Sequence, residues 1–129
     1  MFSGEEREVI AVIDNRFTNL DAKIAFWYIL SLGISNERFR CTPNKKGVIY
    51  EVRFHHADDA GPNLYSLIAN RGSVLWYFRS SALEKFHYDF DCINENFGSD
   101  KVNRPRPNEI TVKIEHLQTA KTLVSKYLF

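Results

Sequence analysis

Apolar positions change period along this chain, and the changes mark its elements. Val9, Ile10, Val12, Ile13 and Phe17 recur near the 3.6-residue period of a helix, although four β-branched side chains leave a strand arguable. Leu20, Ile24, Trp27, Ile29 and Leu30 give a wider apolar face over about Asn19 to Leu32, with Gly33 where a C-terminal stop would fall. Three helix starts share one spacing: Ser3 before Glu6, Thr18 before Asp21 and Ser81 before Glu84. In such a capping box the hydroxyl accepts from the N3 amide and the carboxylate reaches back to the cap amide.

Over 38–79 the period falls to two. Asn44-Lys45-Lys46-Gly47 predicts a turn between Phe39–Thr42 and Val48–His55. In the second segment Val48, Tyr50, Val52 and Phe54 point one way, and Ile49, Glu51, Arg53 and His55 the other. A loop is expected over 56–62. Leu64–Ala69 and Ser73–Arg79 then flank Asn70-Arg71-Gly72, where Gly72 is free to take positive φ. Val74, Trp76 and Phe78 alternate with Leu75, Tyr77 and Arg79, which predicts a central strand covered on both faces.

Leu83, Phe86, Phe90, Ile93 and Phe97 step by three or four along one helix over 81–98, with Gly98 as its stop. Ser99–Asn108, holding Arg104-Pro105-Arg106-Pro107, is expected to be an exposed loop. A strand over Ile110–Glu115 precedes an amphipathic helix carrying Leu117, Ala120, Val124, Tyr127 and Leu128. The resulting order is α-α-β-β-β-β-α-β-α. It implies an α+β fold, one domain over 1–129, with a helical part over 1–34, antiparallel strands over 35–80, a helix over 81–98, and a strand and helix over 109–129. The sheet is expected to have about five mostly antiparallel strands, with helices packed on it and the last strand able to add in parallel.

Composition narrows the class. At 129 residues, 44% hydrophobic and 26% charged, the chain suits a single folded domain rather than a disordered, collagenous or coiled-coil protein. The longest uncharged stretch, between Lys23 and Glu37, is 13 residues, and a membrane helix needs about 20. Glu5, Glu6 and Glu8 stand where a signal peptide would be basic. Cys41 and Cys92 belong to no CxxC pair and are expected to be reduced thiols, which together predicts a cytoplasmic protein. Net charge is only +1, but it is distributed in blocks: −2 over 1–34, +3 over 35–80, −4 over 81–100 and +4 over 101–129.

Three groups of residues could carry chemistry. His55, His56, Asp58 and Asp59 gather imidazoles and carboxylates at a strand exit, as acid–base steps or a nuclease-like metal site require. The spacing matches no metal-ligand motif, and a polar turn explains it as well. Glu84, His87 and Asp91 lie three and four apart, so on one helix they would converge. Arg71, Trp76, Tyr77, Arg79, Arg104 and Arg106 could stack bases and contact phosphates, or anchor an acidic protein; alternating Trp76 and Phe78 equally suit a core.

Glycine-rich nucleotide loops and the GxSxG elbow are absent from the sequence. The expected function is therefore non-enzymatic: a small binding protein of the inhibitor, immunity or antitoxin kind, needing no cofactor or metal. Its partner-binding residues would be Arg71, Arg79, Glu84, His87, Asp91, Arg104 and Arg106, and its partner most simply a protein. A nucleic-acid-binding domain using the Arg71 hairpin and the RPRP segment is the alternative. A metal-dependent nuclease or hydrolase is the third.

Overall fold

A computed structural model describes residues 2–58 and 61–128 of the protein. Over these residues the chain forms α1 (Gly4–Arg16), α2 (Leu20–Ser35), β1 (Phe39–Lys46), β2 (Ile49–His56), β3 (Tyr65–Ala69) and β4 (Val74–Phe78). There follow α3 (Ser80–Phe86), α4 (Phe90–Phe97), β5 (Val102–Arg106), β6 (Glu109–Ile114) and α5 (Leu117–Leu123), which runs on as a π-helical turn over Val124–Leu128. The sheet has six strands in the order β1-β2-β3-β4-β6-β5, and every neighbouring pair is antiparallel. The fold is α+β, as the periodicity implies, with one strand more than expected.

That strand is β5, which occupies the expected Arg-Pro-Arg-Pro loop. It lacks apolar alternation because it is an exposed edge, the one place in a sheet where Pro105 costs no ladder bond. The chain turns back after β5 before reaching β4, so β6 joins β4 antiparallel rather than parallel. At the opposite edge, β1 includes Pro43 and Asn44, and its hairpin closes over Gly47 and Val48 alone, between Lys46 and Ile49. Gly47 takes φ 60°, as the first central residue of a II′-type turn requires. Val48 is consequently 81% exposed instead of inward-facing. In the β3–β4 turn Gly72 does not use positive φ.

Both helix-rich ends depart from the simple cap pattern in informative ways. The Ser3–Glu6 box forms as expected and commits 4–16 to helix over strand. For α2 the cap is Asn19, whose side chain accepts from Asp21 N at 2.9 Å, while the Thr18 hydroxyl donates to Arg71 O. Ser81 likewise donates to Asn63 O at 2.7 Å and caps nothing. The helix expected over 81–98 is two helices. His87 adopts φ 53°, and Asp89 restarts the chain as N-cap by accepting from Asp91 N. Between them Tyr88 turns inward, its hydroxyl 2.9 Å from that of Tyr65 and its ring 5.4 Å from both Phe78 and Tyr127.

The core lies between the helices and one face of the sheet. Val52, Phe54, Leu67, Val74, Trp76, Phe78, Val112 and Ile114 supply the sheet side, while Ile13, Phe26, Ile29, Leu30, Leu123 and Leu128 supply the helical side. Trp76 stacks on Tyr65 at 5.0 Å and meets Phe54 edge-on at 5.2 Å, contacts worth about 0.5–1.5 kcal/mol each beyond area burial. The expectation that β4 is central holds, but only one of its faces is covered. Leu75 and Tyr77, on the other, remain half-exposed.

Candidate functional site

The site is the sheet face opposite the helices. Antiparallel register lines up Thr42, Arg53, Ser66, Tyr77, Thr111 and Asn103 as one row across all six strands. Beside it lie Asn44, Glu51, Ile68, Leu75 and Lys113. Period-two alternation puts the large buried apolar side chains of these same strands on the core side and leaves a mainly polar face that also carries Ile68, Leu75 and Tyr77.

Its centre is an ion network built on two carboxylates. Glu51, 5% exposed, accepts from Arg53 Nε at 2.8 Å and from Asn44 Nδ2 at 3.3 Å. Arg79 reaches Glu51 at 3.8 Å and donates to Glu109 at 3.2 Å and to the Ser66 hydroxyl at 3.1 Å. Arg79 thereby spans from β2 to β6, three strand spacings or about 14 Å of sheet. Its guanidinium lies 4.1 Å over the Tyr77 ring, an additional attraction. Arg106, 77% exposed, approaches the other oxygen of Glu109 at 3.8 Å. Three guanidiniums thus surround two carboxylates, a rigid face with a positive excess. With both carboxylates engaged by arginines, this arrangement suits recognition of anionic groups.

Other predicted site residues have different placements. His55 lies on the polar face, its Nε2 3.3 Å from the Thr42 hydroxyl. Burial, then the charge of Arg40, holds its pKa below the ordinary imidazole value, with the Gly61 backbone opposing. His56 Nδ1 instead accepts from Asp58 N at 3.3 Å, closing the strand exit locally. Asp59 lies outside the described residues. Among the described residues no three His, Cys, Asp or Glu side chains gather as a metal ion would need.

The break at His87 removes the common helix face on which Glu84, His87 and Asp91 would have converged, because the αL residue redirects the axis between them. The basic–aromatic group is also divided. Trp76 is fully buried and cannot stack on a base. Arg71 sits in the β3–β4 turn, at the opposite end of β4 from Arg79, and its carbonyl accepts from Thr18. Arg104 packs 4.3 Å over the Phe90 ring, tying β5 to α4. Of the basic candidates, Arg79 and Arg106 belong to the polar face.

Glu51, Arg53, Ser66 and Glu109 are the members missed as site residues. Alternation in β2 already puts Glu51, Arg53 and His55 on one side, but joining them to Glu109 needs the β4–β6 register. No helix among the described residues is long and apolar enough to cross a membrane. Compared with known proteins, the chain matches no family model, no curated protein and no solved structure.

Proposed function

We propose that this is a non-enzymatic binding protein that occupies an acidic macromolecular partner, most simply a protein, through the helix-free face of its sheet. The carrying observation is the Arg53–Glu51–Arg79–Glu109–Arg106 network: guanidiniums held in place by carboxylates beneath them. Pre-ordered arginines lose less side-chain freedom on binding than free ones, and arginine is a favoured interface anchor. An inhibitor or immunity-type role in the cytoplasm fits such a surface. The imidazoles support the same reading, since His55 and His56 are engaged in local contacts at the end of β2.

The test compares immobilised wild type with an Arg53→Gln/Arg106→Gln variant in host lysate with and without nuclease. Both side chains are substantially exposed, so circular dichroism should show an unchanged fold. The expected result is one stoichiometric acidic protein retained by wild type and reduced at least tenfold with the variant. Equal retention by both would overturn the reading. Capture that disappears with nuclease treatment would replace it with nucleic-acid binding.

A further inference from the structure

The free edge of β1 has a backbone pattern independent of the sheet face. Ala57 N donates to Arg38 O at 2.8 Å, which makes these opposed residues a hydrogen-bonded pair. In an antiparallel ladder such pairs alternate, so the backbone groups of Arg40, Thr42, Asn44 and Lys46 turn toward β2. Those of Phe39, Cys41, Pro43 and Lys45 turn outward. Phe39 N is engaged by Asn36 O at 3.0 Å, and proline has no N–H. That leaves the amides of Cys41 and Lys45 and the carbonyls of Phe39, Cys41, Pro43 and Lys45, with no hydrogen-bond partner among the described residues.

Beside the Cys41 amide opens a groove of about 440 Å³, with Phe2, Ile34, Phe39 and Cys41 on its apolar side and Arg40 and Thr42 on its polar side. Glu6 at its rim is tied to the Ser3 amide. On the polar side of the same strand Arg40 and Lys46 are exposed. A strand laid against this edge would therefore alternate between a cationic side and the apolar half of this groove.

Like charge makes a second copy of β1 a poor occupant. Paired antiparallel about Pro43, two copies would place Arg40 opposite Lys46 of the other chain at both ends, and like charges directly opposed are destabilising. Pro43 and the lysines are themselves the devices by which edges resist self-pairing. A strand with carboxylates at those positions meets the opposite sign. We infer that the free edge of β1 accepts an acidic, extended peptide segment as a seventh strand. Its carboxylates face Arg40 and Lys46, and an apolar side chain enters the groove beside Cys41. This is strand addition, in which main-chain bonds supply affinity and alternate side chains supply specificity.

The probe is a fluorescein-labelled peptide, Glu-Val-Glu-Ile-Glu-Val-Glu, titrated by anisotropy against the whole protein. Two controls accompany it: the same composition with its glutamates in one block, and the alternating peptide with lysine for glutamate. The alternating acidic peptide should bind at least tenfold more tightly than either control and shift the Cys41 and Lys45 amide resonances. Arg40→Glu/Lys46→Glu should weaken it at least tenfold, as should Ile34→Glu, whose target side chain is 39% exposed. Equal binding of all three peptides, or unaltered affinity in both variants with folded circular dichroism spectra, would overturn the inference. So would sedimentation showing a wild-type dimer that Arg40→Glu/Lys46→Glu dissolves. Arg106→Gln, at the opposite edge of the sheet, should leave this peptide's affinity unchanged, so the edge and the sheet face can fail separately.

Discussion

Gly33 shows how a single residue reports on packing. It lies inside α2, where a Cβ would stand 2.4 Å from Phe54 Cε2 and 2.8 Å from Cζ. The Phe54 ring is fully buried against Phe39 and Trp76, so it has nowhere to swing. Gly→Ala in an exposed helix interior gains about 1 kcal/mol; here overpacking of about 1–3 kcal/mol reverses the sign. Gly33→Ala should lower stability by up to about 2 kcal/mol in urea denaturation, and a stabilised variant would contradict the close approach of α2 to β2. Cys41 makes a second residue-scale case. Burial pushes its thiol up from 9.0 to about 12, so at pH 8 only about one in ten thousand is thiolate. A disulfide reagent should titrate the exposed Cys92 rapidly in native protein and the half-buried Cys41 far more slowly, with Cys41 accelerating on unfolding. His55 carries the acid side. Its pKa is lowered from 6.5, so the unfolded chain binds the proton more readily. Its stabilising contribution is present above pH 6.5 and lost as pH falls through the lowered value. Between pH 7.5 and 5.5 the urea midpoint should fall for wild type and fall less for His55→Gln.

Elements here are decided by caps and edges. The apolar stripe from Leu83 to Phe97 is continuous in sequence, yet the chain breaks it at His87 so that Tyr88 can join Tyr65, Phe78 and Tyr127. Asp89 makes the restart possible by bonding the Asp91 amide. Asp89→Ala should cost about 1 kcal/mol and raise amide exchange across α4, whereas Asp89→Asn should be nearly neutral. An unaffected Asp89→Ala protein would mean that α4 does not depend on this cap. The two edge strands carry Pro43 and Pro105, each weakening the strand signal in sequence and each tolerated only because no neighbour needs its N–H.

At the scale of the whole molecule, the α2–β1 connection is tied to the C-terminal helical turn by polar bonds. Arg38 Nη2 and Asn36 Nδ2 donate to Leu128 O at 2.6 and 3.0 Å. They satisfy a carbonyl that the final helical turn cannot satisfy itself. Bonds from charged donors contribute about 1.5–3 kcal/mol. Arg38→Ala should therefore cost about 1–2 kcal/mol, with amide exchange rising first over 124–128. Exchange that rises uniformly across the sheet instead would show that this tie is not local to the C-terminal turn.

The sequence alone determined the α+β class, the hairpin strands, the placement of Val52, Phe54, Trp76 and Phe78 on one face, and the Ser3–Glu6 cap. These follow from local periodicity and from groups within a few residues of each other. Tertiary structure decided the rest. β5 became a strand because β6 offered it a ladder. Glu51 and Glu109 became neighbours of one arginine because register brought β2 and β6 within its reach. Glu84, His87 and Asp91 lost their common face because Tyr88 had partners in β3, β4 and the final helical turn. Each depends on contacts between residues far apart in the chain, which period and spacing do not encode.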